Sequence, residues 1–435
     1  MRSILILCAA VGLAGCTPET DETDPVDDTL DGPFECEGDV CTLSGTITED
    51  VTLTADKMWL IRGGVYIGDD DAQTVLTIEP GTTLYGESST DGMLVITRGS
   101  KIVADGTSDA PIVMTSSKAP GDRARGDWGG LIINGRAPIN SCAEGTADCE
   151  AYGEGGTGWY GGSDVSDDSG VLRYVRVEFA GTLVSPDNEL NGIAFQGVGS
   201  GTTVDYIQVH MNADDGVEFF GGTVSVRHVL VTGVGDDLMD WTDGWQGNGQ
   251  FIVLQQYEDA GDNGIEADNN GEANDASPRS MPTLSHVTVL GQPESSNSDF
   301  GVLLREGTGA SIHNAVVTGW NEACLNVDHD ATVAQIGTGL DITHSVLDCT
   351  TALVSETGLT ETTAMWDAEE SNVIGNPWKD DPYSVGNTDY RPASDGPAAS
   401  GAMTPTDSWF EDVAWRGGVD PTMDWTAGWT LHDRN

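Results

Sequence analysis

The strongest constraint on the fold is an acid-rich motif that recurs along the middle of the chain. The motif begins at Asp214, Asp236, Asp262 and Asp299, so successive copies are 22, 26 and 37 residues apart. Between the copies lie short runs of β-branched residues that end in Gly, Asn or Asp and show no helical periodicity. Repeats of about two dozen residues, each supplying two or three short strands, are typical of a stacked β-solenoid. We therefore predict an all-β fold, a right-handed parallel β-helix with short capping elements.

The same strand–turn–strand pattern extends towards the N-terminus, at residues 75–86 and 93–106. We place the β-helix at residues 34–410. The remaining segment, 411–435, is rich in Trp beside Gly. Because a stacked repeat must seal its open end to prevent edge pairing, we predict that residues 411–435 form an aromatic C-terminal cap.

Several segments resemble a family of secreted and lipid-anchored bacterial β-helix proteins. The resemblance rests on four motifs, GDWGG at 126–130, DDGVEFFGG at 214–222, GIEADNN at 264–270 and DWTAGWT at 424–430. These motifs imply the fold and an envelope location, and they imply no particular reaction.

The N-terminus has the features of a secretion signal. Arg2 is followed by an apolar run and then by Leu-Ala-Gly-Cys at residues 13–16. This tetrad resembles the lipobox of bacterial lipoproteins, which implies that residues 1–15 are removed and that Cys16 carries the lipid. In that family an Asp after the cysteine favours the inner membrane, so Thr17 implies an outer-membrane lipoprotein. An ordinary signal peptide with a coincidental cysteine is the alternative.

The large excess of acidic over basic residues argues against a nucleic-acid partner. The chain has 71 acidic and 18 basic residues, a formal net charge of −53. Nucleic-acid binding depends on neutralising phosphates with basic groups, so we expect no nucleic-acid partner. Residues 16–33 contain seven acids after Cys16 and no aromatic residue, which predicts a solvated, self-repelling tether behind the lipid.

Six cysteines remain beyond Cys16, an even number suited to an oxidising compartment. Six cysteines allow about 15 connectivities. None has the spacing of a zinc site, so we interpret them as disulfides, and their spacing favours the pairs Cys36–Cys41, Cys142–Cys149 and Cys324–Cys349.

The repeats also predict a column of carboxylates. In a parallel stack, equivalent residues of successive rungs lie about 4.8 Å apart. Aligning the motifs places Glu218, Asp240 and Glu266 above one another on the outward face, followed by Leu303. We name these three residues the acidic column.

Three interpretations of the acidic column compete. The first is a solvated acidic face, in which the turn Asp residues cap their own turns. The second is a Ca²⁺ site, because carboxylates in turns suit a hard cation that takes six to eight oxygen ligands. The third is catalysis. The candidate Ca²⁺ ligands are Glu218, Asp240, Asp243, Glu266 and Asp268.

Catalysis has two forms here. A lyase would use Ca²⁺ to neutralise a uronate and Arg305 as the base, which resembles the calcium-plus-arginine arrangement of pectate lyases. A hydrolase would use Asp215 and Asp237, which resemble the paired Asp residues of polygalacturonases, as acid and base. The chain lacks a basic cluster for a polyanionic substrate and lacks the Gly-His-Gly and Arg-Ile-Lys elements of polygalacturonases.

Trp159 and Tyr160 lie in a Gly-rich loop at residues 153–164. As an exposed platform this pair could stack on sugar rings, and as a buried pair it would anchor its own loop.

Two classes of function follow from these features. The first is a lipid-anchored cell-envelope protein with a binding, adhesion or structural role, attached to the outer membrane through its lipid, with a polysaccharide or surface partner and Ca²⁺ as a rigidifying ion. The alternative is a polysaccharide-active enzyme, a Ca²⁺-dependent lyase or a glycoside hydrolase. An enzyme predicts a long open groove over the acidic column, whereas a binding protein allows that face to be covered or flat.

Overall fold

The computed structural model describes residues 33–71, 73–185, 188–383 and 389–435. The predicted signal peptide, Cys16 and nearly all of the tether lie outside the described residues. The described residues belong to one compact unit.

Within the described residues, the chain winds through three parallel sheets whose rungs pair in register. Some strands are long enough to bend from one sheet into the next. The strands shared by sheets 1 and 2 are Gly170–Glu178, Thr203–His210, Ser225–Thr232, Asn248–Gln255 and Thr283–Leu290, and those shared by sheets 2 and 3 are Val40–Ile47 and Met58–Ile67.

The other strands of the stack belong to single sheets. Sheet 1 contains Val51–Leu53, Val75–Ile78, Lys101–Asp105, Ala310–His313 and Leu340–Thr343. Sheet 2 contains Thr83–Gly86, Ile112–Ser116, Val316–Thr318, Val346–Asp348 and Val373–Ile374. Sheet 3 contains Met93–Ile96, Gly130–Asn134, Ile193–Gln196, Val217–Phe220, Met239–Thr242, Ile265–Ala267, Phe300–Leu304, Ala323–Val327 and Leu353–Val354.

Short elements decorate this stack. The antiparallel ones are Glu35–Glu37, which pairs with the start of Val40–Ile47, the hairpin Cys149–Tyr152 with Trp159–Gly162, and the pair Leu183–Ser185 with Asn188–Glu189. The helices are Asp330–Val333 and Leu359–Ala368, with 3-10 turns at Ser88–Thr90 and Glu154–Gly156.

The core is a continuous stack of inward-facing side chains. Val217, Met239 and Ile265 pair rung to rung and are fully buried, as the alternation of the repeats predicts. Phe195 stacks on Phe219 and Phe219 on Trp245, with ring centroids 5.3 and 3.9 Å apart. This arrangement confirms the predicted fold class and is consistent with a right-handed parallel β-helix.

The corner between sheets 1 and 2 is a ladder of left-handed residues. Tyr174, Tyr206, His228, Phe251 and His286 occupy equivalent positions, and each has a φ between 46° and 60°. Left-handed backbone is unfavourable for non-Gly residues. Stacking along the ladder, with centroids 4.4, 4.0, 5.0 and 5.6 Å apart in chain order, offsets that cost.

The C-terminal segment 389–435, here called the strap, lies along the outer face of sheet 2. Its Gly417 amide donates to the Asn314 carbonyl, and the Trp429 carbonyl accepts from Arg176, far back along the stack. The sequence predicts a cap at the open end for residues 411–435, and in the structure this segment packs along the side of the stack. The physical reason is an apolar outer surface on sheet 2, where Leu230, Val253 and Leu290 pack against Tyr390 and Val419 of the strap. At the last rungs, the helix Leu359–Ala368 contributes Trp366 to the core instead.

Three disulfides, Cys36–Cys41, Cys142–Cys149 and Cys324–Cys349, are formed as the spacing favours. They indicate an oxidising, extracytoplasmic compartment. Among the described residues, none of the helices has the length and apolar character needed to span a bilayer.

Candidate functional site

The acidic column lies on the outward face of sheet 3, as predicted. Glu218 pairs in register with Asp240, Asp240 with Glu266, and Glu266 with Leu303. The neighbouring residues in each strand point into the core, so the three carboxylates share one face.

A second set of acids runs beside the column, in the turns that precede the strands. Asp215 accepts a hydrogen bond through Oδ1 from the Asp237 amide at 3.0 Å. Asp237 in turn accepts one from the Asn263 amide at 2.7 Å, and Asn263 Oδ1 accepts one from the Phe300 amide at 3.2 Å. These side chains therefore connect successive turns, which gives Asp215 and Asp237 a structural task.

Turn and column acids converge into four overlapping groups. Within each group, one oxygen atom per carboxylate lies within 4.8 Å of the others. Two groups combine turn and column, and two are formed by the turns alone. The groups are Asp214–Asp215–Asp236, Asp215–Glu218–Asp240, Asp236–Asp237–Asp262 and Asp237–Asp240–Glu266.

Most of these carboxylates are buried or half-buried and do not form a solvated face, although Asp236 is exposed. Asp215, Glu218 and Asp237 are only 7%, 7% and 5% exposed. Oδ1 of Asp240 is buried, and no described residue donates a hydrogen bond to it. A buried, unpartnered carboxylate oxygen is costly, so the arrangement calls for protons or a cation.

Burial and mutual repulsion act together on the protonation of the groups. Burial raises the pKa of Asp240 well above its ordinary value, and the charges of Glu218 and Glu266 raise it further. Burial likewise raises the pKa of Glu218, Asp215 and Asp237, with neighbouring carboxylates adding to the effect. The pKa of Asp214 rises to about 7 through burial and the charge of Asp236.

The C-terminal end of the column is neutralised by Arg305. Its guanidinium contacts Glu266 and donates from Nε to Asp268 Oδ1 at 3.0 Å. Burial still raises the pKa of Glu266 to about 7 and that of Asp268 to about 6, with Arg305 opposing both shifts. Burial disfavours the charged form of Arg305, but its partners Asp268 and Glu266 raise its pKa overall.

The predicted Ca²⁺ ligands are therefore divided. Glu218, Asp240 and Glu266 belong to the carboxylate groups, whereas Asp243 and Asp268 do not. Asp243 Oδ2 accepts hydrogen bonds from Ser141 Oγ at 2.6 Å and from the Tyr160 hydroxyl at 3.2 Å. The Ca²⁺ site stays a prediction, and the acids that lie beside its three column residues are Asp215 and Asp237.

Sequence reasoning did not assign the turn acids to the cation site. Asp215 and Asp237 share groups with column acids, whereas Asp214, Asp236 and Asp262 belong to the two groups that the turns form alone. The signal was available in the repeated Asp-Asp that stands three and four residues before each column acid at Glu218 and Asp240.

An insertion at residues 135–169 covers sheet 3 beside the column. Its Ile139, Cys149 and Tyr160 pack on outward apolar residues of the sheet, which are Val95, Ile132, Ala194 and Phe220. Tyr160 is 5% exposed, and so it anchors the insertion, whereas Trp159 is 50% exposed. Tyr160 therefore anchors its own loop, and only Trp159 of this pair is an exposed ring.

Comparison with known proteins adds the family. A protein-family model, described as a pectate-lyase like beta helix domain, matches residues 45–430, which is most of the chain. The protein belongs to this family. The comparison with curated proteins gives no match. Among solved structures, the pectate-lyase-like β-helix described here is similar to the Dettilon tailspike protein (gp208), with 9% identity and a TM-score of 0.31. The match covers 75% of this chain and 62% of the tailspike chain.

Proposed function

We propose that this pectate-lyase-like β-helix is a cell-envelope protein with a binding or structural role, stiffened by Ca²⁺ in the carboxylate groups of sheet 3. The observation that carries the proposal is the burial of these carboxylates with Asp240 Oδ1 lacking a donor among the described residues. A divalent cation would supply the missing partner and relieve the repulsion between rungs.

The ligand chemistry supports Ca²⁺ in particular. Every candidate ligand is a carboxylate oxygen, and none of the four groups contains His or Cys. Hard cations such as Ca²⁺ take six to eight oxygen ligands in flexible geometry, whereas zinc and copper favour nitrogen or sulfur. The centre of the proposed site is the pair of groups that share Asp240.

The surroundings of the column support a non-catalytic role over a lyase. Glu218 is buried, and the insertion packs over the sheet next to it, at Ala194 and Phe220. The predicted base, Arg305, is held by Glu266 and Asp268, which stabilise its charged form. A charged guanidinium cannot abstract a proton, so this arrangement disfavours the lyase alternative.

Envelope attachment is the part of the proposal that rests on sequence. The lipobox-like tetrad ending at Cys16 supports a lipid anchor, and the three disulfides support an extracytoplasmic location. Metabolic labelling of the expressed chain with a clickable fatty acid tests the anchor. Label incorporation that is lost in Cys16→Ala supports it, and equal labelling of both chains contradicts it.

Thermal unfolding of the full chain tests the cation. The melting temperature is measured in excess EDTA and then in millimolar Ca²⁺, with Mg²⁺ as the comparison ion. We expect Ca²⁺ to raise the melting temperature by several degrees, because a ligand that binds only the folded state stabilises it. The shift should vanish when Glu218, Asp240 and Glu266 are replaced together by Gln, Asn and Gln.

A matched variant controls for the change in net charge. Asp109→Asn, Glu144→Gln and Glu294→Gln remove three exposed carboxylates outside the groups. This control should keep the full Ca²⁺ shift. The proposed site is contradicted if the wild-type chain shows no shift, or if both triple variants lose it equally.

A further inference from the structure

A groove opens on the outer face of sheet 3. The insertion separates it from the acidic column, so the groove lies at the first rungs and the column at later ones. The outward positions of the first rungs are Thr46, Tyr66 and Val95, which pair in register. The insertion covers Val95, and beyond it Tyr66 and Thr46 remain as part of a groove of about 430 Å³. That volume lies within the range of about 300–1,000 Å³ typical of small-ligand sites.

Two exposed aromatic rings form one wall of the groove. Tyr152 and Trp159 face each other on the hairpin of the insertion and are 58% and 50% exposed. Their centroids are 5.3 Å apart and their planes meet at 80°, so the rings form a corner. Large aromatic side chains are usually buried, and two together at a groove mark a surface that binds something.

The hairpin that carries the rings is held rigidly. The Asn134 side-chain amide donates to the Thr157 carbonyl at 2.8 Å, and the Gly153 amide donates to the Gly158 carbonyl at 2.8 Å. The disulfide Cys142–Cys149 closes the base of the same insertion. A platform fixed in this way loses little conformational entropy when a ligand binds.

Polar groups surround the rings. Arg98 donates to Asp70 through Nε at 2.8 Å and through Nη2 at 2.5 Å, and it also contacts Glu150. Thr46, Thr97 and Thr157 line the groove. Asn134, which is fully buried, also lines it, and no described residue donates to its Oδ1.

We propose that this aromatic groove binds a neutral glycan, with a sugar ring stacked on Trp159 and its hydroxyl groups on the polar rim. Aromatic faces suit the apolar C–H face of a sugar, and the hydroxyl, amide and ion-paired groups suit its hydroxyls. An apolar peptide would leave these polar groups without partners.

Charge selects a neutral glycan over an acidic one. The one basic residue among the described lining residues, Arg98, is already held by two carboxylates, and Asp69 and Asp70 lie in the same groove. The chain as a whole carries a net charge of −53. A uronate polymer would therefore meet repulsion at the groove and at long range.

This inference deepens the proposed binding role and does not depend on the cation. Isothermal titration calorimetry of the full chain in Ca²⁺ buffer tests it with cellohexaose, xylohexaose and mannohexaose, and with hexagalacturonate as the acidic probe. We expect at least one neutral hexasaccharide to bind and hexagalacturonate to bind more weakly than it. Trp159→Ala should weaken the binding about tenfold, which corresponds to about 1.4 kcal/mol.

Two further variants separate recognition from folding. Trp159→Phe keeps an aromatic face and should bind within about threefold of the wild-type chain, a difference of well under 1.4 kcal/mol. Trp409→Ala removes a partly exposed tryptophan that packs on Arg227, outside the groove, and should leave glycan binding unchanged. Each variant is first shown to have a cooperative thermal transition.

The groove proposal is overturned if none of the neutral probes binds, if Trp159→Ala binds as tightly as wild type, or if hexagalacturonate binds best. Its failure is distinguishable from failure of the cation proposal. A Ca²⁺ shift in melting temperature without glycan binding removes only the groove, and glycan binding without a Ca²⁺ shift removes only the cation site.

Discussion

Glu218 lies directly beside Asp240 on neighbouring rungs of sheet 3, with both side chains on the outer face. Burial raises the pKa of each carboxyl group, and the charge of Glu218 raises the pKa of Asp240 further. Stacked repeats impose this proximity, because a residue type that recurs at one position of the repeat forms a column in the fold. The stability of the protein should therefore depend on pH and on cations in a defined way.

The first prediction concerns pH. A carboxyl group with a raised pKa in the folded state holds its proton where the unfolded chain, with pKa values of about 4, has lost it. Folding therefore takes up protons between about pH 4 and 7, and stability falls as pH rises through this window. Asp214 and Glu266, whose pKa values rise to about 7, release their protons towards the upper end of this range. In EDTA, the melting temperature should fall steadily from pH 5 to pH 8.

General repulsion among the acids of the chain would also lower stability as pH rises. The control is the variant with Glu218→Gln, Asp240→Asn and Glu266→Gln, which should show a clearly smaller fall over the same range. The three exposed replacements at Asp109, Glu144 and Glu294 should leave the fall nearly unchanged. A melting temperature that rises towards pH 8 in EDTA would contradict the buried carboxylate groups.

The second prediction concerns Asp240 alone. Asp240→Asn removes the charge that two of the carboxylate groups share. At pH 8 in EDTA the variant should be more stable than wild type by on the order of 1 kcal/mol, since like charges directly opposite on neighbouring strands are destabilising by a similar amount. In Ca²⁺ the order should reverse, because the variant loses a ligand. Chemical denaturation under both conditions measures the change, and a variant less stable in EDTA would contradict it.

The third prediction concerns Arg305. Arg305→Met removes the partner of Glu266 and Asp268 and leaves two poorly solvated carboxylates. The free energy of unfolding in EDTA at pH 8 should fall by about 1–3 kcal/mol, the cost of leaving such groups unpartnered. Addition of Ca²⁺ should increase the free energy of unfolding of the variant by more than it increases that of the wild-type chain. Arg391→Met, which removes an exposed guanidinium beside Asp389, is the control and should leave the free energy of unfolding nearly unchanged.

The fourth prediction concerns the strap. Trp429 is 2% exposed and packs edge-on against Tyr174, with centroids 5.4 Å apart. Trp429→Ala should lower the free energy of unfolding by about 3–5 kcal/mol, as expected for a large buried aromatic. Trp409→Ala, in the same strap and partly exposed, should cost much less. Equal losses in the two variants would show that the strap does not pack on the aromatic ladder as described.

Much of the fold was predictable from sequence because it rests on local, repeated patterns. The motifs at Asp214 and Asp236 set the length of a rung, and strict alternation sent Val217 inward and Glu218 outward. The pairs Cys36–Cys41 and Cys142–Cys149 followed from short spacing. In each case the interacting residues are close in sequence or related by the repeat.

The rest depended on contacts between segments far apart in the chain. Alternation could place Glu218 outside the core, but only the packing of neighbouring turns and of the insertion decided that it is buried. Trp159 and Tyr160 are adjacent and chemically alike, yet Tyr160 meets Asp243 and Phe220 while Trp159 faces the groove. The strap covers the side of sheet 2 because apolar residues on three rungs, Leu230, Val253 and Leu290, form a continuous surface only after stacking. The sequence by itself thus determined the repeat and its alternation, which are properties of a single rung. The tertiary structure alone decided burial, coverage and charge environment, because these depend on which distant segments come to lie against each rung.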